Sequence, residues 1–344
     1  SASGTYRSED AGQTWEKMSN RNGRPMYYSE IFIHPRNPNL VITAETSSAK
    51  SEDGGRTWSD ISAEPTYDVG MHLDMHAVWM DPENEEHFYI GGDAGLHETF
   101  DGGVNYRKIN NYAIGQFYAI GVDNADPYNI YGGLQDHESW KGPVNSWSGA
   151  VTLEDWVLVG LWDGMYNQVD PTDNRYLYTT AQFGGHRRVD QVNGTRADIQ
   201  PEAGGKEPKP RYPWTPAIQV SPHDSNVVYA GSQKILKSSD RGDSWEEISP
   251  DLTFETLVED GGRCVYAGGA QGWINYCPVT SLDESALEPG VIWAGTDDGR
   301  VHVTENGGES WREVTASLAE AGAPADFWVS RVRASRHDLG TAYV

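Results

Sequence analysis

A short motif of the form Ser/Thr-x-Asp-x-Gly-x-Thr/Ser-Trp occurs five times and constrains the fold more than any other feature. Residues 8–15, 51–58 and 238–245 match it fully, whereas 99–106 ends in Tyr and 304–311 has Asn in place of Asp. An Asp carboxylate can accept backbone N–H bonds across a turn, and Gly adopts positive φ without steric cost. The motif therefore predicts five β-hairpin turns, four of them with a structural aspartate, each followed by an aromatic ring suited to packing between neighbouring sheets.

A second series of polar turns predicts how many such units the chain contains. The seven turns are at 34–35, 81–82, 123–124, 170–171, 221–222, 285–286 and 335–336. Their spacing of 42 to 64 residues suits a four-stranded antiparallel unit, the size of a propeller blade. We therefore predict an all-β chain, a β-propeller of four-stranded antiparallel blades with seven blades, while six or eight remain open.

The two ends of the sequence are complementary in this repeat. Residues 329–344 contain only the first two strands of a unit, and residues 1–24 contain only its outer strands. Pairing the two halves would close the ring and satisfy every sheet edge. We thus predict that 1–344 is a single propeller domain whose last blade is completed by the N-terminal strands, within a longer multi-domain protein.

Charge and composition exclude several classes of partner. The chain has 26 Lys and Arg against 51 Asp and Glu, a net charge of -25, so it repels phosphate backbones and anionic lipid. No run of roughly 18 apolar residues is present. We expect no nucleic-acid partner and no direct membrane insertion. The two cysteines, Cys264 and Cys277, could form one disulfide or remain reduced, and both alternatives stay open.

These motifs resemble the Asp-box (BNR) repeat propellers, a family that includes sortilin-type receptors, sialidases and two-propeller xyloglucan-cleaving hydrolases. The segments 6–10, 131–136 and 295–299 are most similar to the second propeller of bacterial sortilin-like or glycosyl-hydrolase-like BNR proteins, and Asp74 and His76 match positions of that family. The resemblance implies the propeller fold and an extracellular, periplasmic or cell-surface location. It does not imply an activity, because the same repeat occurs in enzymes, receptors and scaffolds.

The first candidate site is the triplet His72, Asp74 and His76. Alternation along an extended strand would place the three side chains on one face. Two imidazoles beside a carboxylate could bind Zn²⁺ or act as an acid–base pair, and a structural hydrogen-bonded pair explains them equally well. We predict no metal and no cofactor.

The second candidate site is a loop region rich in aromatic and acidic residues. Its members are Gln135, Asp136, His137, Trp140, Trp147, Trp156, Trp162 and Asp163. Aromatic faces with nearby carboxylates suit a carbohydrate site, although Trp in a propeller often packs between blades. Asp136 and Asp163, with Asp74, are the candidate catalytic acids, since glycoside hydrolysis needs two carboxyls about 5 to 10 Å apart.

Weaker signals come from acids in Gly-flanked turns and from a basic loop. Asp93, Asp297 and Asp298 are predicted to form turns. The run 201–213, which includes Arg211, is predicted to be an exposed loop with a local basic cluster.

The sequence favours a secreted or cell-surface module that recognises a protein or glycan partner through the loops of its end face. One alternative is a xyloglucanase-like glycoside hydrolase, whose cleft a neighbouring propeller domain of the same protein would complete. A second alternative is a structural subunit of an extracellular assembly, which predicts a flat apolar face and no pocket.

Overall fold

The computed structural model describes residues 2–24, 29–62, 71–109, 111–112, 114–202, 210–253, 277–324 and 327–344. The chain divides into two compact units, Ser1–Ile114 and Gly115–Val344. The described residues contain one α-helix, Thr315–Glu320, and two short 3-10 turns, Leu153–Asp155 and Gln182–Gly184. In this part of the chain no helix is long and apolar enough to cross a membrane.

The first unit contains one two-stranded and two four-stranded antiparallel sheets, each with its strands in sequence order. The strands are β1 (Thr5–Arg7) and β2 (Glu16–Ser19), then β3 (Glu30–Ile33), β4 (Val41–Ala44), β5 (Ala49–Ser51) and β6 (Ser59–Asp60), then β7 (Met75–Met80), β8 (Phe88–Gly92), β9 (Gly95–Thr99) and β10 (Arg107–Ile109).

The second unit contains four four-stranded sheets and one two-stranded sheet, again antiparallel and in sequence order. The first two are β11 (Phe117–Val122), β12 (Asn129–Leu134), β13 (Ser139–Pro143) and β14 (Val157–Gly160), and β15 (Asn167–Val169), β16 (Tyr176–Thr179), β17 (Arg187–Asp190) and β18 (Thr195–Asp198). The others are β19 (Ile218–Val220), β20 (Val228–Gly231), β21 (Ile235–Ser238) and β22 (Glu246–Glu247), then β23 (Val279–Glu284), β24 (Ile292–Thr296), β25 (Val301–Thr304) and β26 (Arg312–Glu313), and finally β27 (Arg333–Ala334) and β28 (Ala342–Tyr343).

This succession of four-stranded meanders confirms the predicted fold class, an all-β propeller. Six complete blades lie within the described residues, and the two-stranded sheets β1–β2 and β27–β28 are the predicted half blades. Six complete blades and two half blades agree with the predicted number of seven blades. The joining of the two halves, and with it the single-domain organisation, stays a prediction.

The core of each unit is built mainly on the second strands of the blades. Every residue of β4 and of β20 is buried, and Ile42, Ile90 and Ile292 are fully inaccessible to solvent. A strand covered on both faces is expected to be continuously apolar rather than alternating. This explains why these strands consist of short runs that are rich in Val, Ile, Tyr and Ala.

The five motif turns share one hydrogen-bond network, as predicted. In the copy at 238–245, Gly242 N–H donates to Ser238 Oγ (2.7 Å) and Ser244 N–H donates to Asp240 Oδ1 (2.8 Å). The motif glycines have φ between 87° and 101°. In the copy that lacks Asp, Asn306 Oδ1 accepts the N–H of Ser310 at 3.0 Å. The acceptor oxygen rather than the charge is therefore what the turn requires.

The aromatic ring that ends the motif joins one sheet to the preceding one in four copies. Trp58 donates to Ser19 Oγ, Tyr106 to the Ile61 carbonyl, Trp245 to the Ile199 carbonyl and Trp311 to the Ile248 carbonyl, over 2.8 to 2.9 Å. Each acceptor lies at the end of the preceding sheet's last strand or just after it. Packing between sheets is thus confirmed for these rings. Trp15 differs, because its ring is 63% exposed and donates to the Gly12 carbonyl of its own turn.

The motif aspartates predict how stability responds to acid. Hydrogen bonds from the turn lower the pKa values of Asp53, Asp101 and Asp240 to about 2, below the roughly 3.9 of an unfolded chain. A lowered pKa adds stability that is present above about pH 4 and lost as the pH falls towards 2. We expect the free energy of urea unfolding to drop in this window, and less so in Asp240→Asn. Equal slopes for the two proteins between pH 4 and 2 would contradict this.

Candidate functional site

The triplet His72, Asp74 and His76 does not form the single face that was predicted. The strand begins only at Met75, and Asp74 has a φ of 70°, so the alternation of an extended strand is broken before it starts. Asp74 pairs with Arg24 (Oδ1 to Nη1, 3.2 Å), whereas His76 Nε2 lies 2.8 Å from Asp93 Oδ1. No group of three or more His, Cys, Asp or Glu side chains among the described residues could hold a metal ion.

In the second unit, by contrast, Asp136 and Asp163 meet. Asp136 lies in the turn between β12 and β13, and Asp163 lies just before β15. The Asp163 carboxyl lies close enough to Asp136 and to the Gln182 side chain for both to affect its pKa. Tyr118 Oη lies 3.5 Å from Asp163 Oδ2 and accepts the Trp214 indole N–H at 3.0 Å. One acid, a phenol and an indole thus form one network, and Asp136 lies beside it.

Burial and charge set the protonation of this pair. Asp163 is only 6% exposed. Its burial, and secondly the negative charge of Asp136, raise its pKa to about 6. Asp163 therefore holds its proton to a higher pH than an exposed acid, because burial and a neighbouring negative charge both disfavour its ionised form.

Glycines allow the two segments that carry the acids to approach each other. A Cβ on Gly133 would lie 2.1 Å from the Met165 carbonyl oxygen, and one on Gly164 would lie 2.1 Å from the Glu138 carbonyl oxygen. The Gly164 N–H donates to the Leu134 carbonyl at 3.0 Å, which ties the two segments together. Gly133, near the end of β12, and Gly164 are thus required by the close backbone packing next to Asp163.

The backbone beside the acids points one side chain inward and its neighbour outward. Asp136 and Trp162 both have left-handed backbone, with φ of 57° and 61°, which costs a non-glycine residue about 1 kcal/mol or more. Trp162 is 59% exposed, whereas the adjacent Asp163 is buried. The exposed position of the Trp162 indole next to the buried Asp163 is therefore maintained in spite of an unfavourable backbone conformation.

A cleft of about 570 Å³ adjoins this acid pair. Among the residues that line it are Trp162, Phe183, Arg187, Asp198, Gln200 and Glu202. Two of its lining residues, Trp162 and Phe183, directly neighbour Asp163 and Gln182 in the sequence. The Arg187 guanidinium lies 5.1 Å from the Trp162 ring centre, and its Nε donates to Asp198 Oδ1 at 2.7 Å. We call the acid pair and this cleft together the acid–aromatic cleft.

The other residues predicted for this region have structural contacts. The Gln135 N–H donates to the Gln116 carbonyl, His137 Nδ1 lies 3.2 Å from the Gln135 carbonyl, and the Trp140 indole donates to the His137 carbonyl at 2.7 Å. Trp147 is fully exposed, and a Cβ on Gly142 would collide with the Trp156 ring. The structure therefore brings Asp136, Trp162 and Asp163 to the site, whereas Gln135, His137 and Trp140 shape the adjoining hairpin.

Sequence reasoning missed several residues of the acid–aromatic cleft. They are Tyr118, Gln182, Phe183, Arg187, Asp198, Glu202 and Trp214. Tyr118 lies in the first strand of its blade, and Trp214, like Asp163, lies a few residues before a first strand. Aligning the blades on the residues in or just before their first strands would have grouped Tyr118, Asp163 and Trp214. Equivalent positions of neighbouring blades meet at the same end of a propeller.

Two further predictions need correction or remain open. Arg211 is not exposed, because only 7% of it is accessible and it donates to Thr253 Oγ1 and the Cys277 carbonyl. Cys277 is disulfide-bonded, whereas Cys264 and the glycine-rich insert at 261–272 lie outside the described residues. Burial, and secondly the charge of Asp298, raise the pKa of Asp297 to about 7, so this turn acid is more than a solvated turn former.

The raised pKa of Asp163 predicts a second, opposite dependence of stability on pH. A folded-state value of about 6 against roughly 3.9 unfolded means that the native state holds the proton more strongly. The contribution of Asp163 to the stability of the protein is then greatest below about pH 4, and it is lost as the pH rises through 6. We expect unfolding free energies of the wild type to decline from pH 4 to 7 relative to Asp163→Asn. Parallel curves would show that the acid is not buried as described.

Comparison with known proteins gives a distant sequence relative and matches among solved structures. No protein-family model matches the chain. A probable oligoxyloglucan-reducing end-specific xyloglucanase of Neosartorya fischeri is 24% identical over 248 residues, covering 65% of this chain and 26% of the relative. The chain therefore spans about a quarter of that protein's length.

Two solved structures are similar to nearly the whole chain. The GH74 enzyme of Niastella koreensis matches 97% of this chain and 65% of its own, at 11% identity and a TM-score of 0.30. YCF48 bound to D1 peptide matches 88% of this chain and 89% of its own, at 13% identity and a TM-score of 0.39.

Proposed function

We propose that the chain is a glycan-binding β-propeller module and that the acid–aromatic cleft is its recognition site. The observation that carries this proposal is the exposed Trp162 ring, held on left-handed backbone directly beside the buried Asp163. Ligand sites are typically concave, with aromatic walls and a few placed polar groups. This cleft has that composition.

The chemistry of the cleft suits a sugar ring. An indole face packs well against the C–H face of a pyranose, and the carboxyl oxygens and the Gln200 amide can exchange hydrogen bonds with hydroxyl groups. Arg187 covers part of Trp162 and is itself anchored by Asp198. The ring is thus held in one orientation before a ligand arrives, which reduces the entropy lost on binding.

We further propose that the protein works outside the cytoplasm, in the extracellular space, the periplasm or at a cell surface. The disulfide at Cys277 supports this, because such bonds persist in oxidising compartments. A neighbouring propeller domain or another protein remains a proposed partner, in accord with the small share of the xyloglucanase relative that the chain covers.

The second candidate function is glycoside hydrolysis. The xyloglucanase relative favours it, and so does the pKa of about 6 for Asp163, since a general acid must hold its proton near neutral pH. The second acid of such a pair would be Asp136, Asp198, Glu202 or a residue outside this chain.

A polysaccharide screen of the purified chain separates these functions, scored for both binding and release of reducing ends. The variants are Asp136→Asn and Asp163→Asn, with Glu288→Gln as the control, an exposed acid between β23 and β24. We expect binding without release, weakened in both Asn variants and unchanged in the control. Sugar release that is lost in Asp163→Asn would establish the hydrolase instead. Silence in both assays would contradict both functions and favour a structural subunit.

A further inference from the structure

A histidine lies between two carboxylates in the blade formed by β7–β10. His87 Nδ1 lies 3.0 Å from Asp81 Oδ2, and its Nε2 lies 3.1 Å from Glu98 Oε1. The bond with His87 lowers the pKa of Asp81. Tyr89, and to a smaller extent His87, lowers the pKa of Glu98, so both acids are ionised near neutral pH. An ionised carboxylate can only accept hydrogen bonds, and each ring nitrogen must therefore donate one. The arrangement requires the doubly protonated, charged form of His87.

We propose that His87 is a pH switch, which holds the turn between β7 and β8 to the motif turn at 99–106 while its ring is charged and releases it when the ring loses a proton. A neutral imidazole carries a single N–H, so one nitrogen lone pair would then face a carboxylate oxygen. The hydrogen bond at that nitrogen is replaced by repulsion. The switch does not depend on the proposed glycan site, whose residues belong to the second unit.

Two contacts attach the motif turn to the segment that carries the histidine. The Phe100 ring stacks on the His87 ring, with 4.4 Å between the ring centres and 4° between the planes. A cation on the face of an aromatic ring is attracted by the ring electrons, so this contact is stronger with the imidazolium than with the neutral ring. The Gly102 N–H donates to the Glu86 carbonyl at 2.9 Å. Loss of the charge on His87 therefore weakens the attachment of the motif turn.

The groups around His87 determine the direction in which the switch responds to pH. The titratable groups near the ring and its two acids are His34, Asp81, Tyr89, Glu98 and Arg107. The bond with Asp81 raises the pKa of His87 most, Glu98 adds to this effect, and burial opposes it. The stability that a raised pKa contributes is present below the unfolded value of about 6.5 and is lost as the pH rises through the folded-state pKa. The switch is thus closed in acid and opens as the solution becomes alkaline.

The test follows His87 and Gly102 in the intact chain from about pH 5 to about pH 9. Nitrogen NMR of the imidazole reports the charge of His87. Hydrogen exchange of the Gly102 N–H, corrected for the intrinsic pH dependence of exchange, reports release of the motif turn. We expect His87 to keep both ring protons to a higher pH than the exposed His337. The protection of Gly102 should fall about ten-fold as His87 loses its charge, the effect of one broken charge-assisted hydrogen bond.

His87→Gln is the matched variant, and His337→Gln is its control. A glutamine side chain is uncharged, as the neutral ring is, so we expect Gly102 protection in His87→Gln to be low and constant over the pH range. His337→Gln should follow the wild type. Constant Gly102 protection in the wild type, or an equal fall in His87→Gln, would overturn the inference. Loss of charge at His87 together with His337 would also overturn it, and this measurement needs only the wild type.

Discussion

Replacing Trp162 with alanine is expected to weaken glycan binding about thirty-fold or more. A buried anchoring tryptophan costs about 2 kcal/mol or more when truncated at an interface, and about 1.4 kcal/mol corresponds to a factor of ten in affinity. The ring is 59% exposed in the free chain, so its loss removes little from the fold. Calorimetric titration with the best glycan of the screen measures the effect, and thermal unfolding of the variant should stay close to that of the wild type.

The matched control for this variant is Trp147→Ala. Trp147 is fully exposed at the tip of the loop between β13 and β14 and contributes nothing to the cleft. The Trp147→Ala substitution removes an indole of the same size from the same unit, so we expect the affinity for the glycan to stay unchanged. If both variants bound like the wild type, the acid–aromatic cleft would not be the glycan site. If only Trp147→Ala lost binding, the site would lie on that outer loop.

The largest expected effect on stability is that of Gly133→Ala. Its Cβ would lie 2.1 Å from the Met165 carbonyl oxygen and 2.4 Å from the Gly164 carbonyl carbon, and backbone atoms cannot rotate away as a side-chain tip can. We expect a loss of about 3 kcal/mol in the free energy of unfolding, the upper range for forced overpacking. Because the displaced segment carries Asp163, glycan binding should fall together with stability. Urea unfolding and calorimetry measure the two effects.

Gly91→Ala is the control for this substitution. Gly91 lies near the end of β8, the second strand of its own blade, and a Cβ there would meet only the Leu96 side chain at 3.7 Å. Both positions have ordinary backbone angles, so the two variants differ chiefly in the clash. A stability change of the same small size in both would show that the segments holding the acid pair are not packed as described.

Local interactions explain why the hairpins were predictable. In each motif turn the carboxylate or amide and the hydroxyl bond to groups within four residues, as Asp240 does with Ser238 and Ser244. Such contacts depend on the residues of the turn itself. The repeat of these turns then fixes the blade, because four short strands between them can only pair as an antiparallel meander.

The candidate site was only partly predictable because its contacts join distant parts of the chain. Asp136 and Asp163 were expected in one region, but the packing of their segments depends on the close backbone approach at Gly133 and Gly164, which no local pattern shows. Trp214 and Tyr118 are 96 residues apart. The left-handed backbone at Asp74 likewise shows in no local sequence pattern, and it breaks the extended strand on which the His72–His76 prediction depended.

The measurement that tests the central claim most directly is an NMR titration that follows the indole N–H signals of the thirteen tryptophans. Each signal is assigned by a single Trp→Phe substitution, and the glycan is the best binder of the screen. A bound glycan is predicted to shift the Trp162 signal in a saturable manner and to leave the Trp147 and Trp245 signals in place. A saturable shift elsewhere with Trp162 unmoved would contradict the assignment of the acid–aromatic cleft as the recognition site.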